Sequence, residues 1–144
     1  MEENVHFLYP ASLFASKSPY LVTTILGSCV AVCLYDANLQ IGGINHYMLP
    51  LWNGQGLASP KYGNIAIEKL IEKMVSLGCD RNNLKAKVFG GGEVIETTVT
   101  QFNIGARNIK LAHEMLEELK IPIVGQSVGG KLGRKSYLIL KPLK

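Results

Sequence analysis

The sequence predicts an α/β (α+β) sandwich: mainly antiparallel β-sheets flanked by two main helices. Three observations carry that expectation. Short runs rich in β-branched and aromatic residues gather at both ends of the chain. Two apolar stripes at helical spacing lie in the middle and second half. Glycine-, proline- and asparagine-rich breaks punctuate the runs. With 144 residues the chain fits one domain, 1–144, large enough to bury roughly 68–70% of its unfolded surface without a metal or disulfide staple.

The elements follow in order. "VHFLYP" and "YLVTTIL" read as strands. "CVAVCLYD" and "IGGINHYML" flank the polar break "ANLQ" and read as a β-hairpin. "LPLWNGQGLASPKYGN" is a long loop by its Gly, Pro and Asn content. "IAIEKLIEKMVSL" then sets Ile67, Leu70, Ile71, Met74 and Val75 at helical spacing, with Gly78 as the stop. "LKAKVFGGG" is a strand running into a glycine turn, and "ARNIKLAHEMLEELK" a second helix with Ile109, Ala112, Leu116 and Leu119 on one stripe. "IPIVGQSV" and "KSYLILK" close the order as strands.

Composition excludes several classes. Hydrophobic residues make up 47% and charged ones 18%, which separates the chain from disordered sequences. No apolar run approaches the ~18–20 residues of a membrane span. The opening "MEENVHFLYP" carries glutamates where a signal peptide carries positive charge, so a cytoplasmic protein is expected. Cys29, Cys33 and Cys79 are an odd set, which argues against a disulfide framework. The net charge of +4 supports at most a weak preference for an acidic partner surface; no nucleic-acid partner is expected.

Two motifs match and fail. "GQSVG" fits a nucleophile elbow around Ser127, but no Asp, Glu or His follows it in the chain. "GQSVGGK" fits a phosphate loop ending at Lys131, yet Leu132 stands where the magnesium-binding hydroxyl belongs. Metal binding fares no better. In an extended strand Cys29 and Cys33 lie about 13 Å apart, far beyond what one zinc ion spans with bonds of about 2.3 Å. His6, His46 and His113 fall in three different elements, and His113 reads as a surface or rim histidine. No cofactor is expected.

One stretch remains, "TILGSCVAV", which sets Cys29 at a strand start behind a Gly-Ser step. A hairpin with Asp36 opposite Leu39 carries Cys29 opposite His46, with Cβ atoms roughly 4.5–5.5 Å apart. A one-residue change of loop length, or a bulge at Gly42-Gly43, breaks that register. A thiol–imidazole pair and a plain core cysteine both stay open on this ground. Cys33 and Cys79 have no histidine nearby in sequence and read as core filler. "GSC" is reminiscent of papain-type proteases, but there an aromatic residue follows the cysteine, where this chain has Val30, and the histidine lies ~130–150 residues downstream.

The ordered blocks "LGSCVAVCLYD", "GGINHYMLP", "YGNIAIEKLI", "AKVFGGG", "IGARNI" and "VGGKLGRK" resemble the CheD family of chemoreceptor glutamine deamidases. The resemblance implies hydrolysis of receptor glutamine amides to glutamate and ammonia, with Cys29 as nucleophile, His46 as base and Thr23 as the third member of a triad. It also implies a fold like that of cytotoxic deamidase toxins. Methyl-accepting chemotaxis receptors would be the protein substrate, a CheC-type phosphatase a further partner, and the membrane would not be entered. A non-catalytic adaptor that docks on receptors or on such a phosphatase is the alternative. Lys61 departs from the arginine more usual in its block. Gly90, Gly91 and Gly92 would either let backbone approach the substrate or form a plain turn.

Overall fold

The computed structural model describes residues 4–93, 103–130 and, as backbone, 134–140. Eight strands and two helices follow in the order β1 (Val5–Phe7), β2 (Leu13–Ser16), β3 (Tyr20–Leu26), β4 (Val30–Asp36), β5 (Ile41–Asn45), α1 (Gly63–Ser76), β6 (Leu84–Gly90), α2 (Ile104–Glu118), β7 (Ile123–Val128) and β8 (Arg134–Leu140). They form a three-stranded sheet, β1-β3-β8, and a five-stranded sheet, β2-β5-β4-β6-β7. Among the described strands, β1–β3 and β6–β7 pair in parallel and the other pairs are antiparallel, in line with the mainly antiparallel sheets the sequence predicts.

Alternation along β4 explains the layering. Val30, Val32 and Leu34 turn one way and pack with Ile67, Leu70 and Met74 of α1 and Ala112 and Leu116 of α2. Ala31 and Cys33 turn the other way and pack with Ile44, Val22, Leu26 and Leu8. β4 is therefore buried on both faces, between helices and a second sheet. That is why "VAVCLY" is continuously apolar rather than alternating. Burying one side chain of this size contributes about 1.5–3 kcal/mol.

Both predicted helices form. Gly78, at φ +110°, ends α1 with its N–H on the Val75 carbonyl. Val75 sits on the solvent edge of the predicted stripe. In α2 the buried face runs Gly105, Asn108, Ala112, Leu116, so the stripe continues toward the N-terminus through a polar residue. Strand β2 is absent from the sequence reading. Its run "LFAS" is short, lacks alternation, and is ordered by pairing with β5.

The hairpin needs a correction. Asp36 pairs with Ile41 and Cys33 with Ile44, so the loop is 37–40 and the register differs by two from the expected one. Asp36 is the cause. Its Oδ1 accepts from the Asn38 and Leu39 N–H groups, and its carbonyl accepts from Gln40 N–H, which holds Gln40 at φ +58°. The aspartate winds the turn around itself before pairing begins. An even slip keeps every side chain on its face, so the consequence for the site is a displacement and not an inversion.

Candidate active site

β4 begins at Val30 and β5 ends at Asn45, so Cys29 and His46 both lie just beyond the regular ladder. The ladder is interrupted where His46 leaves it, because Asn45 Oδ1 takes the Val32 N–H at 2.9 Å. It then resumes for one pair: Val30 and Tyr47 exchange both backbone bonds, at 3.1 and 2.9 Å. This register sets Met48 opposite Cys29 and His46 two positions away, on the same face. Diagonal neighbours of this kind stand roughly 7–8 Å apart, within reach of longer side chains. The expected direct pairing of Cys29 with His46 is thus replaced by a diagonal one.

Both groups face the layer between the sheets. Cys29 is half-buried against the inter-sheet cluster. His46 is 1% exposed, and its Nδ1 lies 2.7 Å from the Thr24 hydroxyl. The sequence reading gave the third place to Thr23; the hydroxyl that lies beside the His46 ring is that of its neighbour Thr24. Along β3, Val22, Thr24 and Leu26 form the buried row, while Thr23 shares the outer row with Ile25, which is 59% exposed. Thr23 pairs with Phe7 and Tyr137 in the three-stranded sheet, facing away from His46.

The protons in this cluster can be assigned. Thr24 Oγ1 lies 2.7 Å from the Leu8 carbonyl, which can only accept. The single hydroxyl proton is therefore committed to Leu8, and Oγ1 meets His46 as an acceptor. The imidazole must carry its proton on Nδ1, leaving Nε2 as a bare lone pair. Nε2 is buried and has no hydrogen-bond partner among the described residues. Burial lowers the His46 pKa to about 4, so the ring is neutral at pH 7. A neutral ring with its lone pair at Nε2 is able to accept a proton there.

Cys29 complements it. Burial raises its thiol above the ordinary value, while its own backbone N–H pulls in the opposite direction. Burial disfavours both charged forms, the Cys29 thiolate and the His46 imidazolium. The other two thiols differ in exposure. Cys33 is buried mid-strand and pushed far up by burial; Cys79 is buried and raised to about 11, chiefly by burial.

The glycine turn after β6 holds the cysteine from behind. Gly91 N–H donates to Cys29 O at 2.8 Å and Gly92 N–H to Gly27 O at 2.9 Å. A Cβ at Gly90 would collide with the Cys29 carbonyl, and one at Gly91 with Ile109. The run supports the loop, and these two N–H groups are already spent. Asn108, which the sequence reading passed over, donates from Nδ2 to Ser28 O and to Met48 O, both at 3.0 Å. Its signal was a polar residue inside an apolar helical stripe.

The remaining candidates lie elsewhere. His6 stacks on Phe14 with ring centroids 4.1 Å apart, and His113 Nε2 meets Gln126 Oε1 at 2.8 Å. Ser127 lies inside β7, paired with Phe89, not at a strand-to-helix turn. Lys131 and Leu132 fall outside the described residues. Among the described residues no group of three His, Cys, Asp or Glu side chains could hold a metal ion, and no helix is long and apolar enough to cross a membrane.

The fold and these contacts define a class of protein, an α+β sandwich with a thiol and an imidazole base sharing one inter-sheet layer. Comparison with known proteins narrows it. The CheD family profile, "CheD chemotactic sensory transduction", matches residues 48–143. The chain is 50% identical over 144 aligned residues to the "Probable chemoreceptor glutamine deamidase CheD" of Sulfurimonas denitrificans, covering 96% of this chain and 89% of the relative. It is 49% identical over 130 residues to the protein of that name from Trichlorobacter lovleyi, covering 90% and 81%. For the one from Rhodospirillum rubrum the identity is 41% over 127 residues, covering 88% and 72%. This chain belongs to the CheD family. The profile match begins two residues past His46, so the assignments at Cys29, Thr24 and His46 rest on the contacts described above.

Proposed function

We propose that this protein is a chemoreceptor glutamine deamidase that works through a Cys29 thioester. The observation that carries the reading is the buried His46 Nε2, without a partner among the described residues and held in its tautomer by Thr24 and Leu8, on the face that carries Cys29. In the first step Nε2 takes the Cys29 proton as Sγ bonds to the glutamine side-chain carbonyl carbon. Coupling the two events avoids a free thiolate in an apolar layer. The C–N bond then breaks, Nε2–H delivers its proton to the leaving nitrogen, and ammonia departs. Water enters, gives a proton to Nε2, and attacks the thioester. Sγ leaves, recovers the proton from Nε2, and glutamate is released.

The oxyanion falls to the Cys29 backbone N–H, since those of Gly91 and Gly92 are engaged. One well-aimed donor of this kind is worth about 10²–10³ in rate. Chemotaxis receptors are the protein substrate in this reading, and a CheC-type phosphatase is the further partner that the family resemblance implies.

The test is incubation with a cytoplasmic receptor fragment, following ammonia and mapping glutamine-to-glutamate changes by peptide mass. Wild type and Cys33→Ala should convert the same glutamines, and Cys29→Ala none. Iodoacetamide should label Cys29 well before Cys33 or Cys79, because exposure controls access. A folded Cys29→Ala protein that still converts glutamine sinks the thioester.

A further inference from the structure

We propose that Asn108 is a positioning residue for this site, the clamp that fixes the distance between the nucleophile and the base; the inference rests on the deamidase reading for its kinetic arm. Cys29 and His46 lie beyond the ends of their strands, and the Val30–Tyr47 pair is the backbone bridge between the two chain ends there. The side-chain amide of Asn108 adds the second tie. Its two Nδ2 hydrogens go to Ser28 O, immediately before the nucleophile, and to Met48 O, two residues after the base. An amide nitrogen carries two donors and no more, so both are spent holding two carbonyls that belong to different chain ends.

The placement is too costly to be incidental. Asn108 is fully buried, and its Oδ1 has no partner among the described residues. An unsatisfied buried acceptor is destabilising because it gives up its water without replacement, and a leucine would continue the apolar stripe of α2 without that cost. The helix is itself fixed at this point. Tyr47 OH donates to the Asn108 carbonyl at 2.6 Å, and Gly105 lies so close to the Gly91 carbonyl that a Cβ would not fit. The clamp therefore refers both chain ends to one rigid element.

The experiment compares wild type, Asn108→Leu, Asn108→Asp and Leu116→Ala. Both Asn108 variants remove the two donors, and aspartate keeps the shape. Leu116→Ala removes buried packing from the same helix and leaves the Asn108 amide bonds in place. Ammonia release from the receptor fragment should fall by about tenfold to a hundredfold in kcat for both Asn108 variants, as expected for an ångström-scale misplacement. KM should stay within about twofold of wild type. Leu116→Ala should unfold at lower urea but keep its kcat at temperatures where it is folded.

A second readout does not need the receptor. Cys29 alkylation at pH 7 should slow when His46 is replaced by alanine in the wild-type background, and this dependence on His46 should vanish in Asn108→Leu. Folded Asn108 variants with wild-type kcat, or with the His46 dependence of alkylation intact, overturn the clamp. If wild type converts no glutamine while alkylation follows the expected pattern, the deamidase reading falls and the clamp stands.

Discussion

At the scale of single residues, the proposed deamidase mechanism turns on one methyl-bearing hydroxyl. Thr24 donates to Leu8 and accepts from His46, so a valine there keeps the volume and β-branch but leaves Nδ1–H without an acceptor. The ring would then be free to exchange tautomers and present Nε2–H, which is not a base, to the thiol. Thr24→Val should lower kcat for glutamine conversion by about tenfold to a hundredfold, and Thr24→Ser should recover most of the rate. Thr23→Val, on the outer row of the same strand, should stay near wild type. Nitrogen-15 shifts of the His46 ring would report the tautomer directly. Full activity in Thr24→Val would show that the hydroxyl does not set the proton's place.

Elements deliver these residues, and the glycines set how closely they approach. Gly105 opens the first turn of α2 against the carbonyls of Gly91 and Gly92, while Gly91 and Gly92 hold the Cys29 loop by their N–H groups. Alanine at 105 would meet backbone, which cannot rotate away as a side-chain tip can. Gly105→Ala should therefore push α2 off the glycine turn, at a cost of about 1–3 kcal/mol by urea unfolding. Activity should drop with it, since Asn108 rides on the same helix. Gly129 has no atom within 4 Å of an added Cβ, only an unfavourable φ of +79°. Gly129→Ala should accordingly cost stability through backbone strain while leaving the site's geometry alone. Equal stability of Gly105→Ala and wild type would mean that the helix and turn are not in the tight contact described.

At the scale of the molecule, the fold class was legible because it depends on periodicity. Both helical stripes and most strands could be read from the spacing of apolar residues, whereas the burial of β4 on both faces is known only from its packing. The registers were not legible. The hairpin's phase depends on how far Asp36 winds its turn, and the choice of Thr24 over Thr23 depends on which face of β3 meets the other sheet. Asn108 was hidden for a related reason: its partners, Ser28 and Met48, are 80 and 60 residues away in sequence. Local pattern finds elements, but a site made at their junction needs the packing.

That packing also makes the histidine a liability in acid. His46 is buried neutral between the two sheets with a pKa of about 4, against about 6.5 in an unfolded chain. Above pH 6.5 neither state binds the proton, and His46 adds no pH dependence. Between 6.5 and 4 the unfolded chain takes up a proton that the folded one refuses, so stability falls as pH falls. Below about 4 both states are protonated and the loss levels off. At pH 4.5 the loss is about 2–3 kcal/mol, a sizeable fraction of an ordinary domain's stability. Replacing His46 by asparagine removes the titrating group, so the variant should lose that much less between pH 7 and 4.5 in urea unfolding. The carboxylates titrate in both proteins and cancel in the comparison. Parallel pH profiles for the two would mean that His46 is hydrated or charged in the folded state, and the base proposed for the reaction would go with it.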